Sequence, residues 1–347
     1  MTAEASSFAA EQLTSAVSPV AGPVGPSAFA SWGTVLNCYT SALGVYLAVD
    51  DDRWWRLLAD GAPYLRISPA TEDLLRFEHH PRPPAALAGL RAQGADDWDE
   101  TWVGIHDELD AAGRVIIAAD AWNVPWLTSY RKRHVPHWFV LAREGDGYVV
   151  DDPLELIDLQ GSQSPVRVCL DDDGVRQCSG ALIAPAPHLV LREEAVLGDH
   201  ASQLGRAHRW LVRRESPGAE PSSTWQAPVE RHGLLDIVER FERDPTNPAS
   251  YLQADDIWQA LRQRELLIRV LGIEEELGEL GGLPAREPWE RVTELWRDLP
   301  PLLWRAQLLA SHGREDGLDA LAGALRAVAA AESQLSASRF PRRGHEP

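Results

Sequence analysis

Apolar residues fall in short runs in the first half of the chain and at every third or fourth position in the second. The runs "RVIIAAD" (114–120), "HWFVLA" (137–142), "GYVVDD" (147–152), "VRVCL" (166–170) and "ALIAPA" (181–186) are separated by Gly, Pro and Asp, which predicts β-strands. Near residue 190 the pattern changes. Residues 200–215, 228–244, 250–277, 288–313 and 317–335 carry apolar positions at helical spacing, with Pro and Gly between them, and predict about five helices. A structural cap, a dimerisation module or a lining for an active site are the roles such a domain fills. No internal repeat stands out. The chain therefore reads as α+β over residues 28–190 and all-helical over 191–335. Residues 1–27, rich in Ala, Ser, Pro and Gly, are expected to be disordered, and 336–347 to form a flexible tail.

One helical stretch precedes the strands. From Cys38, apolar or aromatic side chains recur at Tyr39, Ala42, Leu43, Tyr46 and Leu47, the spacing of a helix with one buried face. Cys38 then lies in its first turn, where unpaired backbone N–H groups and the positive end of the helix dipole favour a thiolate and offer donors to an oxyanion. A buried inert cysteine has the same local pattern.

The segment "HWFVLAREGDGYVVDDP" supplies what would decide between them. If Arg143–Asp146 form the loop of an antiparallel hairpin, Ala142 faces Gly147 and His137 faces Asp152. An imidazole beside a carboxylate is the arrangement that orients a general base. Cysteine, histidine and aspartate in that order are expected to form a Cys38–His137–Asp152 triad.

Composition narrows the partners. The 347 residues carry a net charge of −19, 44% of them are hydrophobic, and Lys132 is the only lysine. That charge argues against nucleic acid and suits a cationic small molecule or docking on a local arginine patch. Three cysteines without metal-type spacing, Cys38, Cys169 and Cys178, argue against a disulfide framework and for a reducing cytoplasm. Cys169 and Cys178 flank "LDDDG", which reads as a hairpin turn. No compact secretory core or uninterrupted apolar span is present, so no membrane association is expected.

The motifs "NCYTSALG", "GRVIIAADAWNVPW" and "PHWFVLAREGDGYVVDDP" together are similar to papain-like folds, including the bacteriocin-leader peptidases. More closely, they resemble the N-terminal domain of the butirosin biosynthesis H acyltransferase family over roughly residues 30–160. The resemblance implies acyl transfer from the phosphopantetheine thiol of an acyl carrier protein, through a cysteine thioester, to an amine of an aminoglycoside. Cys38 would be the nucleophile, His137 the general base and then acid, Asp152 the orienting carboxylate, and Asp120 part of the site architecture or of acceptor binding. No cofactor or metal is required, since the substrate carries the phosphopantetheine. Two departures stand out: Pro136-His137 where family members often carry a His-His pair, and Trp32 where a papain-type glutamine would donate to the oxyanion. The backbone N–H of Cys38 with Asn37 or Thr34 is expected in that role.

The same triad would serve a thioesterase, a cysteine peptidase or a cyclising release enzyme, and a non-catalytic protein of this fold is a third class. Trp122 and Trp126 are candidates for an acyl groove or for packing. Arg131, Lys132, Arg133 and His134, with Arg206, Arg209, Arg213 and Arg214 on the expected 200–215 helix, would dock an acidic carrier or form solvated faces. His79 and His80, in "EHHPRPP", read as part of a polar loop rather than a metal site.

Overall fold

Asn37 starts the first helix. Its side-chain oxygen accepts the backbone N–H of Thr40 at 2.9 Å while Thr40 Oγ1 accepts the backbone N–H of Asn37 at 3.0 Å, a reciprocal capping box. Helix α1 (Cys38–Leu47) follows. The computed structural model describes residues 29–59, 64–71, 74–80, 84–158, 161–183, 185–214, 233–244, 253–279 and 284–339. The segment 1–27 and the end of the tail lie outside these. After α1 come α2 (Trp55–Ala59), β1 (Arg66–Pro69), β2 (Leu75–Glu78), α3 (Pro84–Leu87), β3 (Leu90–Ala95), α4 (Trp98–Ala112) and β4 (Arg114–Asp120). Next are β5 (Pro136–Glu144), β6 (Gly147–Asp152), β7 (Leu156–Asp158), β8 (Gly161–Gln163), β9 (Val166–Leu170), α5 (Asp172–Cys178), α6 (Pro187–Leu197) and β10 (His208–Arg213). Five helices complete the chain: α7 (Leu234–Arg243), α8 (Ala254–Glu276), α9 (Arg286–Arg297), α10 (Leu299–Ala310) and α11 (Leu318–Arg339).

The described residues separate into two compact units. Of the described residues, one draws on those within 29–52, 88–185 and 199–214, the other on those within 53–87, 186–198 and 233–339. The chain thus passes between the units more than once, where hydropathy suggested a single change near residue 190.

In the first unit a six-stranded antiparallel sheet has the order β3-β10-β4-β5-β6-β9. Helix α4 covers one face, with Ile105 and Leu109 packed among Val115, Ile117, Phe139 and Leu141. Successive strand residues point to opposite faces, and Trp138 meets α1 on the other, its ring edge-on to Tyr39 at 5.5 Å. Arg114, at the start of β4, donates from Nε to the carbonyl of Tyr46 at 2.7 Å near the end of α1. The helix therefore runs opposite to β4, and its first residue, Cys38, lies at the end of the sheet where β4 finishes and β5 begins.

Three expectations are corrected here. Residues 208–213 are not helical but form β10, paired with both β3 and β4. This interior strand is buried along most of its length, Arg209 included, and its short apolar stretch Trp210–Val212 is one that periodicity does not distinguish from a buried helix segment. Ala181–Ile183 form no strand: Leu182 N–H reaches Ala207 O at 2.7 Å, and Pro185 and Pro187 soon remove further donors. Residues 171–178 form no hairpin, because Asp171 caps α5 by accepting the N–H of Gly174 at 2.8 Å.

The second unit is mainly helical. Leu234, Phe241, Ile257, Trp296, Leu303 and Leu325 share its core, which also takes Ile67 and Phe77 from the β1–β2 pair. The single pattern over 288–313 is two helices, because Pro300 and Pro301 occupy the first turn of α10. Helix α11 continues to Arg339, past the expected start of the tail. Among the described residues no helix is long and apolar enough to cross a membrane.

Candidate active site

The capping box places Cys38 at the first position of α1, where its backbone N–H has no intrahelical acceptor. Asn37 spends its side-chain oxygen on that cap, and Thr34 sits on an exposed turn. Opposite Ala119 in the β4–β5 ladder stands His137.

His137 Nε2 lies 2.7 Å from Asp152 Oδ2, and the two residues are 4% and 1% exposed. A carboxylate only accepts, so Nε2 carries the proton and Nδ1 is the nitrogen left for Cys38, whose side chain also favours the charged imidazole. Burial would keep His137 neutral. The charge and hydrogen bond of Asp152, with the Cys38 side chain, outweigh burial and push its pKa up to about 10.

The hairpin reaches this geometry by a register different from the expected one. Its turn is the two residues Gly145-Asp146, with Glu144 facing Gly147 and Ala142 facing Val149. Gly145 has φ of 60°, which the first central position of a type II′ turn demands. His137 and Asp152 are consequently diagonal rather than directly opposed. A two-residue shift leaves every side chain on its own face, so the pair still meets.

Two further contacts hold Asp152. Trp126 donates its indole N–H to the same Oδ2 at 2.8 Å, and the backbone N–H of Leu154 reaches Oδ1 at 3.2 Å. Trp126, a candidate for an acyl groove, thus braces the carboxylate, its ring edge-on to Phe139 at 5.9 Å.

Gly33 ties the approach to Cys38 to the turn after Asp152. Its carbonyl accepts the N–H of Glu155 at 3.1 Å, and a Cβ at this position would lie 2.0 Å from Pro153 O. Only glycine fits there without displacement.

A second histidine–carboxylate pair stands at the same sheet end. Asp120, 2% exposed, closes β4 opposite Pro136; its Oδ2 lies 2.8 Å from His134 Nδ1, and its Oδ1 accepts the N–H of Trp122 at 3.0 Å. The indole of Trp122 stacks on the His134 ring at 4.5 Å and 11°. Sequence reasoning placed His134 only within a basic cluster. The signal that would have found it is positional: a strand ending in Asp and a histidine two residues before the neighbouring antiparallel strand.

The basic residues divide. Arg131 and Lys132 are exposed on the connection between β4 and β5, Arg133 is half-buried there, and Arg131 is the one described non-glycine residue with positive φ, at 55°. Residues 206–214 lie in and around a strand, not on the expected helix. Arg206 pairs with Asp96 at 2.7 Å, Arg213 with Asp50 at 3.3 Å, and Arg209 is buried with its guanidinium 5.9 Å from the Trp138 ring centre.

His79 and His80 are not in a polar loop. In the second unit His79 is buried, stacked on Phe77 at 6.1 Å and 3.8 Å from Asp256, while Gln263 Nε2 donates to His80 Nε2 at 2.9 Å. Among the described residues no group of three or more His, Cys, Asp or Glu is placed to hold a metal ion. Cys169 and Cys178 are free thiols, and burial pushes Cys178 up to about 12. Compared with known proteins, the chain matches no family model and no curated sequence.

Proposed function

We propose that the first unit is a papain-like acyltransferase or condensing domain working through a Cys38 thioester. The observation that carries this reading is the buried hydrogen bond between His137 and Asp152, with Cys38 at the helix N-terminus at the same end of the sheet. In the resting state the His137 imidazolium faces the Cys38 sulfur. The thiolate attacks the carbonyl carbon of a carrier-bound thioester, and the oxyanion forms within reach of the Cys38 backbone N–H. As the intermediate collapses, the bond to the carrier's phosphopantetheine sulfur breaks, and His137 delivers its proton to that leaving thiolate. An amine then attacks the Cys38 thioester, the C–N bond forms, and the C–S bond breaks with its electron pair returning to Cys38.

The donor is an acyl carrier protein, for which Arg131, Lys132 and Arg133 offer a cationic landing in an otherwise acidic chain. A net charge of −19 suits a polycationic amine acceptor of aminoglycoside type. On this reading the protein works in natural-product biosynthesis in the cytoplasm, as the resemblance of its Cys38, His137 and Asp152 motifs implies.

Intact mass spectrometry tests the reading. Acyl-loaded carrier proteins should add one acyl mass to the chain, and Cys38→Ala should abolish the addition. Added amines should accelerate loss of the adduct and appear as amides. Release of free acid at a rate indifferent to amine identifies a hydrolase instead; no adduct with any acyl thioester, and no reaction of Cys38 with iodoacetamide, removes the enzymatic reading.

A further inference from the structure

The acyl transfer proposed above releases more protons than one base removes. An alkyl ammonium resembles the lysine side chain, with a pKa of about 10.4, so at pH 7 only roughly one molecule in 10³ is a free amine. Turning R–NH₃⁺ and a Cys38 thioester into an amide and a Cys38 thiolate frees two protons: one before the nitrogen attacks, the other as the tetrahedral intermediate collapses. His137, neutral after the loading step, takes the second and returns to the imidazolium paired with the thiolate.

The structure assigns the first proton a receiver: we propose that His134, oriented by Asp120, is a second general base that deprotonates the acceptor ammonium. This rests on the acyltransfer reading of Cys38. The carboxylate of Asp120 only accepts, so the 2.8 Å contact fixes the proton of neutral His134 on Nδ1 and leaves Nε2 as the lone-pair nitrogen. Asp120 is itself held, by the N–H of Trp122 on its other oxygen, and the stacked indole of Trp122 keeps the ring in plane. The imidazole side chain is 37% exposed while its carboxylate is 2% exposed, an arrangement that lets Nε2 meet an incoming amine and pass the proton on to water. The position is right for this. Asp120 faces Pro136, next to the Ala119–His137 pair, at the end of the sheet where α1 begins with Cys38. By strand alternation Asp120 projects to the face that α1 covers, while His137, paired with Ala119, projects to the other, so the two imidazole–carboxylate pairs stand on either side of the same sheet end.

His134 is therefore a catalytic base for the acceptor, and Asp120 a positioning residue acting through it. The experiment loads Cys38 with an acyl-pantetheine thioester, then follows discharge by intact mass with a primary alkyl amine across pH 6–10. In His134→Gln the discharge rate, relative to the loading rate in the same sample, should fall by about 10²-fold near neutral pH, the usual worth of a general base. The deficit should shrink as pH approaches that of the free amine. Hydroxylamine, already uncharged at neutral pH, should restore discharge. Asp120→Asn should displace the pH profile of discharge in the same sense, and Asp120→Glu should recover part of it. If His134→Gln discharges the alkyl amine at the wild-type ratio across this range, the assignment of His134 fails while the Cys38 reading stands. A wild-type chain that does not load, or whose adduct decays at one rate with or without amine, overturns both.

Discussion

His137 donates to Asp152 across 2.7 Å inside a site from which water is nearly excluded. The folded pKa of the imidazole is raised above its unfolded value of about 6.5, so the pair contributes stability in full below that pH and loses it as pH rises through about 10. Imidazole NMR should accordingly find His137 protonated through pH 8. Asp152→Asn removes the charge that opposes burial, and His137 should then be neutral at pH 7 and turnover on Cys38 fall by about 10²–10⁴-fold. A His137 signal that titrates near pH 6.5 in the wild-type protein would contradict the pairing.

Trp126 and His137 share one acceptor oxygen on Asp152. Trp126→Phe deletes the indole donor and retains an aromatic ring against Phe139. The lost hydrogen bond to a buried carboxylate is worth about 1.5–3 kcal/mol. The loss should appear as a lower melting temperature and a slower reaction of Cys38 with iodoacetamide, most of it recovered where a new ring donor is supplied, as in Trp126→His.

At Gly33 the backbone is ordinary, with φ of −57°, and the constraint is space. Gly33→Ala forces a methyl group against Pro153 O, a clash of the kind that costs about 1–3 kcal/mol in packed cores. Because the contact joins the approach to Cys38 with the turn after Asp152, the variant should also lose its Cys38–His137 contact. Calorimetry would read the first effect and the pH dependence of Cys38 alkylation the second.

What the sequence made legible follows from how local each signal is. The α1 start at Cys38, the β4, β5 and β6 runs and the helical second half are short-range patterns, and the structure has them, whereas Asn37, expected as an oxyanion donor, caps α1 instead. The His137–Asp152 meeting was readable despite a wrong loop length, since alternation preserves faces through an even shift. Strand β10 was not readable: "HRWLVR" is buried on both faces, Arg209 and His208 included, because helices cover the sheet into which β3 and β4 draw it, all non-local facts. The His134–Asp120 pair and the steric demand at Gly33 likewise depend on which segments the fold brings together. Nothing in "EHHPRPP" announces that His79 is buried beside Phe77 and Asp256 and that the partly buried His80 meets Gln263.

That burial has a pH consequence. Desolvation lowers the pKa of His79, against the opposing pull of Asp256, and lowers that of His80 to about 3, so the fold favours the neutral form of both imidazoles. The unfolded chain protonates them below about pH 6.5, so stability is present above that value and is lost as pH falls, by up to about 1.4 kcal/mol per pH unit for each histidine. Hydrogen exchange of α8 should therefore accelerate between pH 7 and 5 beyond the intrinsic chemical change, and His79→Gln with His80→Gln should flatten the slope. An α8 opening free energy that is constant over this range would show that the two rings are not buried as neutral groups.

The second unit also holds a buried ion pair whose two halves should behave unequally on substitution. Arg264, with no exposed side-chain surface, meets Glu332 through Nε at 2.8 Å and Nη2 at 3.1 Å, and Trp296 donates its indole N–H to Glu332 Oε1 at 2.7 Å. The guanidinium also lies 4.8 Å from the Trp296 ring centre, so α8, α9 and α11 converge on it. Glu332→Gln keeps an acceptor for Trp296 and removes only the carboxylate charge that Arg264 meets in the core, and breaking a buried pair in this way should cost about 3–5 kcal/mol. Replacing both residues, as Arg264→Met with Glu332→Leu, removes the desolvated charges together and should cost far less, because the attraction in the native pair largely offsets the penalty of burying it. Denaturant melts of the two single variants and the double variant separate these terms. A double variant as unstable as the sum of its parts would mean that the pair supports the helical core mainly through packing.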